Sequence, residues 1–100
     1  MYFKVEQDND IFDIKMTEKF YKLTSRYFND SYFNIFYRLF NLLPQDFYHY
    51  VGFKYKARFQ KSKYLSNFVK MFFKNKKDAE LFCKEINRRF QYCVDRGDFT

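Results

Sequence analysis

Hydrophobic and polar positions alternate with period two over residues 47–60. Phe47, His49, Val51, Phe53, Tyr55, Ala57 and Phe59 form one set. Tyr48, Tyr50, Gly52, Lys54, Lys56, Arg58 and Gln60 form the other. Alternation of this length predicts a half-buried β-strand, with the first set facing a core and the second facing outward. Residues 64–74 alternate in the same way. Leu65, Asn67, Val69, Met71 and Phe73 fall on one side, and Tyr64, Ser66, Phe68, Lys70, Phe72 and Lys74 on the other. With Lys61-Ser62-Lys63 as the turn, the two runs predict an antiparallel hairpin.

The rest of the chain divides by the same reading. Residues 2–6 and 11–16 are short alternating runs on either side of the turn cluster Gln7-Asp8-Asn9-Asp10, which predicts an opening hairpin. Thr17 is placed to cap a helix whose apolar face carries Phe20, Leu23, Thr24, Tyr27 and Phe28. Asn29-Asp30-Ser31 interrupts it. Residues 32–43 predict a second helix, apolar nearly all round, with Asn34, Arg38 and Asn41 as its polar positions and Pro44 as its end. Such a helix is either central or pressed against another chain. Asn34, Phe36, Arg38 and Phe40 are therefore candidate oligomer-interface residues. Asn75 and Asp78 predict a cap for a last helix with Ala79, Phe82, Cys83, Ile86, Phe90 and Cys93 as its core stripe. Lys84, Glu85, Asn87, Arg88 and Gln91 are expected to face water.

The predicted order is ββααββα, an α+β fold in which helices pack mainly on one face of an antiparallel sheet. Residues 1–94 are expected to form one domain and 95–100 a loose tail. One hundred residues suffice for a single core. Phe 16 and Tyr 10 make that core aromatic, and their surplus predicts an exposed interaction patch.

Charge adds a direction. The formal net charge is +7, which favours anionic partners without bearing on the fold. No acid lies between Asp46 and Asp78, an interval holding nine of the nineteen Lys and Arg residues. On the predicted hairpin, Lys54, Lys56, Arg58, Lys70 and Lys74 share a face with Tyr48, Tyr50, Phe68 and Phe72. Cations neutralise phosphates, and exposed aromatics stack on unpaired bases. These nine residues are the candidate surface for a protein partner or nucleic acid. In its physics the surface resembles the platform of single-strand RNA binders, although the aromatic and glycine consensus of the RNA-recognition motif is absent. A solvated cationic face that guards a hairpin against aggregation is the competing reading.

Catalytic chemistry finds little support. His49 is the single histidine and falls in the core-facing register, where a general base would lack a partner. Two glycines rule out a glycine-rich phosphate cradle, and no nucleophile or metal motif occurs. Asp8, Asp10 and Asp13 read as solvated turn acids. Cys83 and Cys93 are ten residues apart on one predicted helix. That separation is about 15 Å, beyond the roughly 4.4–6.8 Å of a disulfide. Free thiols, no signal peptide and no bilayer-spanning stretch predict a cytoplasmic protein.

The expectation is thus a small non-enzymatic binding protein with no cofactor and no metal. Abundant Phe, Tyr, Lys, Asn and Ile have A/T-rich codons, which points to an A/T-rich genome such as that of a low-GC bacterium or its phage. A phage or mobile-element accessory protein that inhibits a host nucleic-acid-targeting defence machine fits this size and surface. The partner would be a host protein or nucleoprotein complex. Direct binding of single-stranded RNA or DNA, and a homodimer built on residues 32–43, are the alternatives.

Overall fold

The computed structural model describes residues 1–24, 32–61, 63 and 68–99. Expectations for Tyr27, Phe28, the break at 29–31, Ser62, residues 64–67 and the Phe68 side chain lie outside the described residues. Four helices and two small antiparallel sheets make an α+β fold. The elements are β1 (Phe3–Asp8), β2 (Ile11–Met16), α1 (Glu18–Thr24), α2 (Tyr32–Phe40), α3 (Pro44–Lys54), β3 (Arg58–Lys61), β4 (Phe68–Phe72) and α4 (Lys76–Asp95). The predicted order is kept with one helix added.

The added helix, α3, occupies most of the stretch read as a strand. Phe47, Val51 and Tyr55 are buried, and their spacing of four fits both a strand's period of two and a helix's of 3.6. Pro44 decides between them. It sits in the first turn of α3, where its fixed φ and missing N–H cost nothing. Pro44 was expected to end α2, but that helix stops earlier, at Phe40, and Asn41 follows with φ 52°. Only Arg58–Lys61 remains extended. The correction also moves individual side chains. His49 and Phe53 are exposed on α3 instead of core-facing.

The opening hairpin forms with Phe3 opposite Met16 and Asp8 opposite Ile11, turning at Asn9, whose φ is 58°. β3 and β4 pair with Arg58 opposite Phe72 and Phe59 opposite Met71. The sheet expected as one is therefore two. They are joined at a single bridge, where the Phe12 N–H donates to the Phe73 carbonyl (2.8 Å) and Phe73 returns the bond (2.9 Å).

Helix starts follow local chemistry to different degrees. Thr17 Oγ1 accepts from the Phe20 N–H at 3.4 Å, as a cap should. Asn75 stands at the start of α4, yet its side chain donates to Asp78 (3.3 Å) and makes no cap bond to the backbone.

Rings fill the interior. Phe82 on α4 lies 5.6 Å from Phe36, 5.8 Å from Phe40, 5.4 Å from Tyr55 and 5.5 Å from Phe73, centroid to centroid. A second cluster joins Phe90 to Tyr2, Phe3 and Phe20. The end expected as a loose tail closes over this cluster, with Phe99 stacked 4.9 Å from Phe90. Offset and edge-to-face pairs of this kind add about 0.5–1.5 kcal/mol each beyond area burial. Phe36 and Phe40, expected as interface candidates, are 0% and 6% exposed and belong to this core. A helix apolar nearly all round is here the central one. Asn34 and Arg38 stay at the surface.

Candidate interaction surface

The expected nine-residue surface is divided by the fold. Arg58 opposite Phe72 and Gln60 opposite Lys70 share the outer side of the β3–β4 hairpin, as the alternation predicted. Lys56 and Lys74 are exposed near its ends. The bridge at Phe12 and Phe73 brings acids alongside. Lys70 Nζ lies 3.8 Å from Asp8 and 3.9 Å from Asp13. A run without acids in sequence is therefore partly neutralised in space. Asp13 is not the solvated turn acid expected. It is 6% exposed, and its Oδ1 has no hydrogen-bond partner.

Tyr48 is half-buried and turned into the aromatic packing. Its hydroxyl and that of Tyr37 share a hydrogen bond, and its ring packs 5.1 Å from Phe59 and 6.0 Å from Phe33. Burial, and then the bond to Tyr48, push the Tyr37 hydroxyl well above the usual tyrosine pKa. Tyr37 therefore stays neutral.

Tyr50 and Lys54 do meet, one turn apart on α3. Lys54 Nζ donates to the Tyr50 hydroxyl at 2.9 Å and lies 5.4 Å and 5.6 Å from the Tyr50 and Tyr55 ring centroids. The hydroxyl bond raises the Lys54 pKa, so the cation persists through neutral pH. Beside them Phe53 is 91% exposed. A phenylalanine so exposed contributes nothing to the fold and costs hydration free energy. The groove between α3 and α4 continues the patch with Tyr55, Leu81, Lys84 and Arg88.

Along α4, Leu81, Lys84, Arg88, Tyr92 and Arg96 recur every three to four residues and are exposed. They make one ridge, about 22 Å long at 1.5 Å per residue. Glu85 organises its middle, accepting from Arg88 (2.6 and 3.1 Å) and Arg89 (2.8 Å). The Arg88 bond is the main reason its carboxyl sits below the ordinary value. Lys84 and Arg88 face water as their helical register predicts, and Leu81 and Tyr92 join them on the same side. The three-to-four spacing was the available signal.

No group of three His, Cys, Asp or Glu side chains among the described residues could hold a metal ion. No helix among them is long and apolar enough to cross a membrane. No protein-family model, curated protein or solved structure matches the chain.

Proposed function

We infer that the protein is a non-catalytic docking protein that covers an acidic surface of a partner protein with the patch of α3 and α4. The observation carrying this reading is Phe53, 91% exposed on α3, the helix that also carries Tyr50 and Lys54. Interfaces draw most of their energy from a few aromatic or arginine anchors. Cations around the anchor steer the encounter and select acidic partners. The A/T-rich coding adds a setting. A phage or mobile-element protein of this kind would inhibit a host nucleic-acid-targeting machine by occupying it.

A photo-crosslinking phenylalanine analogue at position 53 tests the reading, with the same analogue at Gln60 as control, in lysate of a low-GC bacterium. The expected result is crosslinking from position 53 to acidic segments of a protein, lost when Lys54 and Lys84 are changed to Glu. Crosslinks to nucleic acid alone, or no excess over the Gln60 control, overturn it.

A further inference from the structure

At the far end of the α4 ridge from Phe53, the fold assembles a second cationic feature from two helices. Arg38 and Asn41, at the end of α2, face Arg88, Arg89, Tyr92 and Arg96 of α4 across an open hollow of about 520 Å³. Four guanidiniums in one hollow repel one another. Two carboxylates hold them from the edges, Glu85 on Arg88 and Arg89 and Asp98 on Arg96. The balance stays positive, and the fold bears that cost.

Two of the guanidiniums are held in position by rings and backbone. Arg89 lies 4.3 Å above the Phe40 ring centroid and donates through Nη1 to the Leu39 carbonyl at 3.2 Å. Arg96 sits 5.3 Å from the Tyr92 ring centroid. A guanidinium has five donors, more than these bonds consume. Fixed donors lose little entropy when an anion arrives. The hollow's volume is within the roughly 300–1,000 Å³ of ligand sites. Tyr92 on its rim is 62% exposed, and an exposed tyrosine beside arginines is what unpaired bases stack on. The aromatic rim favours a nucleotide over a phosphorylated peptide, which would use the arginines alone.

We propose that Arg38, Arg89 and Arg96 seat a phosphodiester of single-stranded nucleic acid in this hollow, with the adjoining base on Tyr92. This site goes beyond the docking reading, because Phe53, Tyr50 and Lys54 take no part in it. Together the two surfaces suit a nucleoprotein partner, with protein against α3 and a strand against the end of α4.

The test is fluorescence anisotropy with labelled twelve-nucleotide oligo-U and oligo-dT, a phosphoserine peptide and inorganic phosphate as competitor, between 50 and 200 mM salt (about the range over which phosphate contacts are lost). The oligonucleotides are expected to bind and the phosphopeptide not to. Arg38→Gln with Arg96→Gln should lower the log–log salt slope by about 0.7, the slope of one single-strand phosphate contact. Tyr92→Ala should weaken binding about 5- to 150-fold, the fold-change equivalent of losing one stacked base. Phe53→Glu should leave oligonucleotide binding unchanged, so failure of the docking reading and failure of this one are separable. All three positions are exposed, and unchanged melting curves check that the variants fold. No oligonucleotide binding, preference for the phosphopeptide, or full binding by the arginine and tyrosine variants overturns the proposal.

Discussion

Asn87 takes the place of a neighbouring strand for Phe3. Its Oδ1 accepts from the Phe3 and Tyr2 N–H groups at 3.0 and 2.9 Å, and its Nδ2 donates to the Phe3 carbonyl at 3.0 Å. Among the described residues β1 pairs with β2 alone, so its other edge would leave these groups unpaired. One side chain of α4 thus ties the helix to the strand edge, and the Cys83 thiol, 3.3 Å from the same carbonyl, lies against it. The sequence reading put Asn87 in water because nothing in a single helix's periodicity reveals a strand edge above it.

Asn87→Leu removes all three bonds while keeping the volume. Orphaned backbone groups cost about 1–3 kcal/mol each when buried, and partial access to water here favours a total loss of about 2–3 kcal/mol. Urea unfolding should show the midpoint falling with m unchanged. A loss under about 0.5 kcal/mol, typical of surface substitutions, would show that the bonds are dispensable.

Phe53 and Phe36 are both phenylalanines on helices, and opposite outcomes are expected for them. Phe36 is fully buried between rings of α3 and α4, so Phe36→Ala should cost about 3–5 kcal/mol through lost transfer energy and the cavity left. Phe53→Ala should fall within about 0.5 kcal/mol of the parent. Thermal melts of the two variants check the exposure at position 53 that the docking reading requires.

The opening hairpin, the core stripe of α4 and the outer face of β3–β4 were legible because each has one clear period. Residues 47–54 were not, because Phe47, Val51 and Tyr55 satisfy both periods at once. Their neighbours Tyr48 and Tyr50 are amphipathic enough to stand on either side. The basic face was legible as a run without acids, but its neutralisation by Asp8 and Asp13 depends on the bridge between Phe12 and Phe73. That contact spans sixty residues of chain and leaves no local trace. The arginine hollow was hidden for the same reason, since Arg38 and Arg89 meet only when α2 packs on α4.

Glu85 carries a pH dependence with a definite sign. The bonds from Arg88, foremost, and the one from Arg89 lower its folded pKa below the ordinary value of 4.5. Its contribution to stability is therefore complete above about pH 4.5. It is lost as the pH falls through the folded value. Glu85→Gln should cost about 0.5–1 kcal/mol at pH 7, discounted for solvent screening. The gap between parent and variant melting temperatures should close as the pH is lowered below 4.5. A gap that stays constant, or widens in acid, would mean that the carboxylate charge is not what holds Arg88 and Arg89.

The end of α3 offers a direct test of the helix over the strand. Lys56 has φ 59°, and the Ala57 N–H reaches back six residues to the Val51 carbonyl at 3.4 Å. A left-handed residue just past the C-cap is how many helices end, usually at a glycine. Here a lysine holds the position, which is why no stop signal was visible. Lys56→Gly removes the steric cost of a Cβ at positive φ, about 1–2 kcal/mol, against about 0.5–1 kcal/mol of added unfolded-state entropy. A small net gain is expected. Gly52 lies within α3, and a Cβ added there would meet only Ala57 O at 3.7 Å and Phe59 Cε2 at 3.9 Å, ordinary contact distances. Gly52→Ala should therefore stabilise a helix by about 0.5–1 kcal/mol. In a strand, Lys56→Gly would weaken the pairing, while Gly52→Ala would help a strand as it helps a helix. A denaturant midpoint that rises for Lys56→Gly supports the helix, and one that falls would restore the strand over 47–60.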